Sequence, residues 1–144
     1  MAVFDPKQVS VLVNDYRLQD WADGTDVIVA KFQVDHGELK IGAGGTGVFV
    51  QNPDESGSLV IKLKQHTRDN AYLDQLRRAQ RASIKSFVPL ALSVKDLLNE
   101  DVLTGAEGYF TTPPDYTRGT SANPVTWTLV FQSFTMRLER GLFE

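Results

Sequence analysis

The chain contains no cysteine. A disulfide framework, a thiolate metal site and a cysteine nucleophile are therefore excluded, because each needs a thiol. Histidine is almost as scarce: His36 and His66 are the two imidazoles. Neither shares with an Asp or Glu the spacing that sets metal ligands on one helix face. Long hydrophobic runs are missing too. "VIVA" at 27–30 and "FVPLAL" at 87–92 fall far short of the roughly 20 apolar residues that cross a membrane as a helix. The opening "MAVFDPKQ" meets Asp5 and Pro6 before any apolar stretch builds, so no signal-peptide pattern is expected, nor membrane insertion. An excess of basic charge is absent. The 15 Lys and Arg face 18 Asp and Glu, net charge −3, which argues against a phosphate-gripping surface built on clustered bases.

Catalytic signatures are lacking as well. There is no G-x-S-x-G elbow, and the acids are scattered, so no carboxylate pair stands out for acid–base work. The run "GAGGTG" at 42–47 resembles a nucleotide loop only at first sight. Such a loop needs a strand before it and a helix after it, so that the helix N-terminus meets phosphate. Here "VFVQNP" follows, and the run holds no lysine. A flexible hairpin or contact loop is the expectation. The sequence therefore points to no enzyme, no cofactor and no metal.

What is present is an ordinary globular composition: 144 residues, 42% hydrophobic and 23% charged. This length suits one domain, 1–144, with its own core. The charge is uneven. Residues 1–60 carry 9 acids and 4 bases, whereas 61–100 carry 4 acids and 8 bases.

Most of the chain alternates as strands do. Val9, Val11 and Val13 mark a first strand. Asp23-Gly24 punctuates a turn. Val27 to Val34 is β-branched and apolar, which predicts a mostly buried strand. Asp35 to Glu38 is expected to turn, and the glycines from Gly37 to Gly47 to leave that stretch irregular. Val48 to Val50 forms a short strand, followed by the turn cluster "QNPDESG". From Gly57 to Gln65, Leu59, Ile61 and Leu63 face one way and Val60, Lys62 and Lys64 the other.

A helix follows at once. Thr67 is its N-cap candidate, and Asp69 places a carboxylate in the first turn, where the helix dipole favours it. Tyr72, Leu73, Leu76 and Ala79 form one apolar stripe. Arg77, Arg78 and Arg81 lie off it, with Asp74 and Arg78 an i,i+4 pair. Such a cluster is ordinarily a solvated face; the functional alternative is a basic docking surface.

Beyond the helix, Pro89 in "FVPLALSV" signals an edge or bulge. "VKDLLNED" predicts a turn or one helical turn. "VLTGAEGYFTT" predicts a strand loosened by Gly105 and Gly108, and "PPDYTRGTSANP" a long loop. In the last strand Val125, Trp127, Leu129 and Phe131 are odd-numbered; Phe134, Met136 and Leu138 are even. The phase change at Gln132-Ser133 predicts a β-bulge in a long, bent strand. Such bending belongs to a sheet that curls into a barrel or shared sandwich. Six or seven strands with one helix after the fourth or fifth are expected.

Three blocks, "ADGTDVIVAKFQVD", "GAGGTGVFVQNPDESGSLVIKLKQHTRDNAYLDQL" and "TWTLVFQSFTMRL", resemble the tail tube proteins of contractile-tailed bacteriophages. The pattern rests on Gly57, Leu59, Ile61, Leu63, Lys64, Gln65, Thr67, Asn70, Leu73 and Leu76. His66-Thr67 replaces the commoner Thr-Ser and keeps the capping hydroxyl. The resemblance implies a mainly β subunit: a β-sandwich or half-barrel of six to seven antiparallel strands with one flanking α-helix. Copies would share a barrel in stacked, hexameric rings whose lumen conducts DNA during ejection.

The lumen strands would be Asp26 to Val34, Val48 to Gln51, Gly57 to Gln65 and part of Val125 to Leu138, and an acidic surplus would let a polyanion slide. Gly37, Gly42, Gly44, Gly45 and Gly47, with the N-terminal segment, would reach an adjacent ring. Arg77, Arg78 and Arg81 would face the sheath. The implied partners are further copies, a sheath protein, and tape-measure, baseplate and terminator proteins. The implied location is the virion tail, assembled in host cytoplasm. The alternatives are a tube subunit of a related contractile injection or secretion machine, and a monomeric ligand-binding β-barrel.

Overall fold

The computed structural model describes residues 5–98 and 100–139. The first residues of the N-terminal segment expected to reach an adjacent ring, 1–4, lie outside the described residues. Asp5 opens a 3-10 turn, Pro6–Gln8, by accepting from Lys7 N. Nine strands follow: β1 (Val9–Val13), β2 (Tyr16–Arg17), β3 (Ile28–Phe32), β4 (Gly37–Ile41), β5 (Gly47–Gln51), β6 (Gly57–Leu63), β7 (Leu90–Asp96), β8 (Val102–Thr112) and β9 (Val125–Arg137). One helix, α1 (Arg68–Ala82), separates β6 from β7.

Seven strands form one antiparallel sheet in the order β2-β1-β7-β8-β9-β6-β3. Residues of β3 at one margin and of β1 and β7 near the other line a common groove. The sheet is thus curled into an open half-barrel. It is one continuous sheet and not two facing ones, and the barrel is not closed within one chain. Val11, Val13, Leu59, Ile61, Leu63, Leu129 and Phe131 are fully buried on its inner face. This agrees with the period-2 pattern, because each strand buries alternate residues.

The long strands bend as their phase change requires, by an unexpected device. β8 and β9 stay in register across the bend, Ala106 opposite Ser133 and Gly108 opposite Phe131. The extra residues are counted against the outer neighbours. The β7–β8 register shifts between Leu90 and Leu92, where Glu107 takes φ 55°. On the other side Phe134 N donates to Glu55 O, one residue out of the β6–β9 register. Two bulges at one level let the inner pair bend together. Pro89 immediately precedes this shift, but β7 is an interior strand, so the proline marks a bulge and not a margin.

The glycines of β8 tighten the strand instead of loosening it. A Cβ on Gly108 would lie 2.3 Å from Phe131 Cε1, and one on Gly105 2.8 Å from Phe131 Cδ1. The ring lies flat on the bare backbone at the bend. Phe134 lies on Gly57 in the same manner.

α1 closes the inner face. Leu73 is fully buried, with Tyr72 and Leu76 packed beside it. Ala79, expected in the stripe, is exposed. Gln80 faces the sheet instead: its Nε2 donates to Phe110 O at 3.2 Å and its Oε1 accepts from Phe110 N at 3.0 Å. It acts as a surrogate strand where β7 no longer covers β8.

Further sequence expectations change. The expected strand Val27 to Val34 is the margin strand β3 over Ile28–Phe32, with alternate residues half-buried and exposed, because only β6 pairs with it among the described residues. Gly37 to Gly47 is ordered: β4 and β5 pair as a hairpin. Val94–Asp96 belongs to β7, and Leu97 and Leu98 turn. The helix follows the sixth strand, because the short strands β2 and β4 escaped the periodicity.

Candidate assembly surfaces

Three surfaces remain unsatisfied in a single chain: an arm, the sheet margins and the outer face of α1. The arm continues the β3–β6 pairing outward. Gln33 N donates to Ser56 O, and Asn52 N to His36 O, after which β4 and β5 pair only with each other. Leu39 stands opposite Phe49. With Ile41 they form one apolar face, 62%, 63% and 58% exposed in that order. Val48 and Val50 are exposed on the other face. A two-stranded hairpin by itself is at best marginally stable in water, and contiguous exposed apolar groups mark an interaction site.

The five glycines singled out in the sequence occupy this arm. Gly37 opens β4, where a Cβ would strike the Phe49 ring at 2.2 Å. Gly42 N donates to Thr46 O and Gly45 N to Gly42 O, which builds the tip. Gly45 has φ +86°, a conformation that favours glycine. Gly44 faces open space and Gly47 begins β5.

The sheet has two unequal margins. Among the described residues, none pairs with the outer side of β3. At the other margin β2 pairs with Leu12 and Val13 of β1, and Leu18 N donates to Val11 O. A row of unpaired backbone groups invites another strand.

α1 carries Arg77, Arg78 and Arg81 on the side away from the sheet. The first two share one carboxylate. Arg77 Nη2 lies 2.7 Å from Asp74 Oδ1, and Arg78 Nε 2.9 Å from Asp74 Oδ2. The hydrogen bond from Arg77 is the main cause holding the Asp74 carboxyl below its ordinary range. Arg81 is exposed in the last turn, followed by exposed Lys85 and Ile84.

Thr67 caps α1 as expected, accepting from Asp69 N at 3.2 Å. Asp69 does more than its dipole role. It is 2% exposed and accepts from Tyr16 Oη at 2.7 Å, Gln19 N at 2.8 Å and Asp20 N at 3.1 Å. Tyr16 also stacks on Tyr72, with ring centroids 4.1 Å apart. The helix N-terminus is thus tied to the β2 margin. Asn70 links two other elements: its Nδ2 donates to Lys64 O and its Oδ1 accepts from Trp127 Nε1. The sequence offered no signal for Tyr16 as the partner of Asp69; for β2 the Asn14-Asp15 pair was such a signal.

Neither imidazole takes part in a polar cluster of catalytic form. His36 meets the Phe32 ring edge-on, and His66 Nε2 lies 3.0 Å from Gln65 Nε2. Among the described residues no group of three or more His, Asp or Glu is placed to hold a metal ion.

A family model described as "Bacteriophage PhiTE tail tube protein" matches residues 14–139. No curated protein matches. Solved structures share the fold. The sheath/tube terminator of PVC, an extracellular contractile injection system, superposes with TM-score 0.63 at 9% identity, covering 95% of this chain and 98% of that one. The tube-terminating cap of the anti-feeding prophage gives TM-score 0.60 at 12% identity, covering 96% and 95%. A chain from the PVC sheath-tube complex gives TM-score 0.59 at 10% identity, covering 94% and 92%. At these identities the likeness is one of fold.

Proposed function

The chain belongs to the bacteriophage PhiTE tail tube protein family and is a structural tail tube subunit, and from that premise we propose how the subunit builds its tube. Copies join head to tail through their sheet margins, close into rings of six and stack through their arms. The observation that carries this reading is the arm, an ordered hairpin with an apolar face that nothing among the described residues covers. A heterologous contact of this kind closes into rings or propagates as a filament.

The outer face of β3, β6 and β9 would line the channel. It carries Val29, Lys31, Val60, Thr126 and Thr128 in alternation with the core residues. Lys62 belongs to this face and is paired with Asp26 at 3.0 Å. Lys31, hydroxyls and short apolar groups, and not an acidic surplus, would therefore meet a sliding polyanion. β5 is in a separate sheet, so Val48 to Gln51 does not belong to this wall. The chain's work is mechanical: it conducts DNA without a chemical step or a cofactor. Its place is the virion tail, assembled in host cytoplasm, with tape-measure, terminator and baseplate proteins at the tube's ends and core.

Electron microscopy of the concentrated, purified chain tests this reading. Rings or tubes with an axial channel are expected. A chain that remains a monomer in sedimentation at high concentration, with no rings on the grid, would overturn it. The resemblance to PVC and anti-feeding-prophage chains favours a second setting, a contractile injection machine, in which the same tube would conduct another cargo.

The basic side of α1 would face the sheath. Because Arg77 and Arg78 are bound to Asp74, Arg81 would carry most of that attraction. Reversing all three to glutamate should leave tubes intact and abolish sheath docking, with Arg81→Glu alone accounting for most of the loss in co-sedimentation with sheath. Sheath bound normally by the triple variant would remove this role.

A further inference from the structure

We propose that Asp23-Gly24 is a modification site, where the main chain converts spontaneously to isoaspartate and loosens the entrance to β3. This goes beyond the tube reading and does not depend on it. Of the 11 glycines in the chain, Gly24 is the one preceded by Asp or Asn. Every other Asp and Asn inside the chain is followed by a bulkier residue or by proline, and proline has no N–H to react.

The reaction needs a free amide beside a free carboxyl. Asp23 and Gly24 are both exposed, in the bend between Trp21 and β3. Among the described residues, no hydrogen bond ends on the Asp23 carboxyl or on Gly24 N. The neighbouring acids differ. Asp20 accepts from Thr67 Oγ1 at 2.6 Å and Asp26 from Lys62 Nζ at 3.0 Å, and the amides that follow them belong to Trp21 and Val27, whose side chains crowd the nitrogen. Gly24 takes φ +142°, a conformation that glycine adopts freely and side chains resist. The fold thus favours glycine here, and with it an unshielded amide.

The step balances without a co-reactant. Gly24 N bonds to Cγ of the protonated Asp23 carboxyl, the C–OH bond breaks, and water leaves with the amide proton. Water then adds to either carbonyl of the cyclic imide. Opening at Cγ restores aspartate. Opening at the main-chain carbonyl leaves the chain running through the side chain, with the freed carboxylate on Cα and the net charge unchanged.

The position gives the change its effect. Both main-chain groups of Lys62 hold this segment: Ala22 N donates to Lys62 O at 3.1 Å, and Lys62 N to Val27 O at 2.9 Å. Residues 23–26 arch between these anchors. Isoaspartate lengthens the arch by one main-chain bond, so the anchors must slip. β3 begins directly beyond them, at Ile28 opposite Ile61.

Peptide mapping tests the site. The folded chain is aged in warm, mildly acidic buffer and cut with trypsin, which releases residues 18–31. Isoaspartate keeps the mass of this peptide but shifts its retention, and isoaspartyl methyltransferase labels it; the imide shows as a loss of water. Fragmentation should place the change at Asp23 and leave Asp20 and Asp26 unaltered. Asp23→Glu should abolish the signal, because glutamate would have to close a larger ring. A synthetic peptide of residues 18–31, aged alongside, supplies the unfolded reference. Conversion in that peptide with none in the folded chain would overturn the proposal, since the fold would then protect the pair. Conversion spread evenly over Asp20, Asp23 and Asp26 would overturn it too. Amide exchange at Ala22 and Lys62 should be faster in the converted chain than in Asp23→Glu aged in the same way, and equal exchange would overturn the loosening. None of these readouts needs rings or tubes, so failure here leaves the tube reading standing, and a chain that never assembles leaves the site standing.

Discussion

Phe131→Ala should destabilise the subunit by about 3–5 kcal/mol, the usual cost of deleting a buried aromatic ring. Phe131 is fully buried at the bend shared by β8 and β9, where its ring covers the backbone of Gly105 and Gly108. Urea denaturation of the monomer, at concentrations below those that assemble, measures the effect. Gly108→Ala tests the other half of the contact. Its new methyl would lie 2.3 Å and 2.5 Å from two atoms of the ring and 3.1 Å from Leu90 Cβ. The ring has little room to yield toward Gly105, where an added Cβ would also come within 2.8 Å of it. Overpacking of this kind costs about 1–3 kcal/mol. Once Phe131 is alanine the methyl has room, so the double variant should be more stable than the two single costs predict, with a coupling of about 1–3 kcal/mol. Strict additivity would mean that the glycines are there for some other reason than the ring.

The bend shows what a sequence of this kind exposes. Burial on β9 obeys a period of two on both sides of Gln132-Ser133, so the slip from odd to even residues was visible without coordinates. The matching bulge on β8 was not, because Gly105 and Gly108 occupy its inward positions and leave no hydrophobic phase to follow. β6 and α1 were legible for the reason β9 was: each buries one face against the core. β3 misled because "VIVA" is apolar on both faces, yet only half of the strand enters this chain's core. Its outward apolar positions belong to a margin.

The arm was read as irregular for a related physical reason. β4 and β5 bury almost nothing in the monomer, so no core selects their pattern, and their glycines suggested compliance. Gly37 in fact seats Phe49, and the tip turns at Gly45. The exposed apolar side chains in "VFV" were the available signal, since a strand with no core to cover needs a partner elsewhere. Arg77 and Arg78 were expected off the apolar stripe of α1; their shared attachment to Asp74 required three-dimensional geometry for the i,i+3 partner.

Asp69→Ala should cost about 3 kcal/mol or more, because it leaves the Tyr16 hydroxyl and the Gln19 and Asp20 amides without their acceptor, each at roughly 1–3 kcal/mol. The carboxylate joins the helix N-terminus to the β2 margin, so fraying should begin there and appear first as faster amide exchange at Gln19 and Asp20. Asp69→Asn keeps an oxygen and should recover part of the loss. The pH dependence separates the two roles of the group. The hydrogen bond to Asp69 is the main cause that raises the Tyr16 phenol above its ordinary 10.0, and burial raises that of Tyr72. A raised folded-state value means the native chain holds its proton more tightly than the unfolded chain. That stabilisation is complete below pH 10 and is lost as pH rises through the folded value. Wild-type stability should therefore fall above about pH 10, and Asp69→Asn should flatten that fall, leaving the part due to Tyr72. An alkaline limb of equal steepness in both proteins would show that Tyr16 does not depend on Asp69, and that the link between helix and margin is carried by the stacked Tyr16 and Tyr72 rings instead.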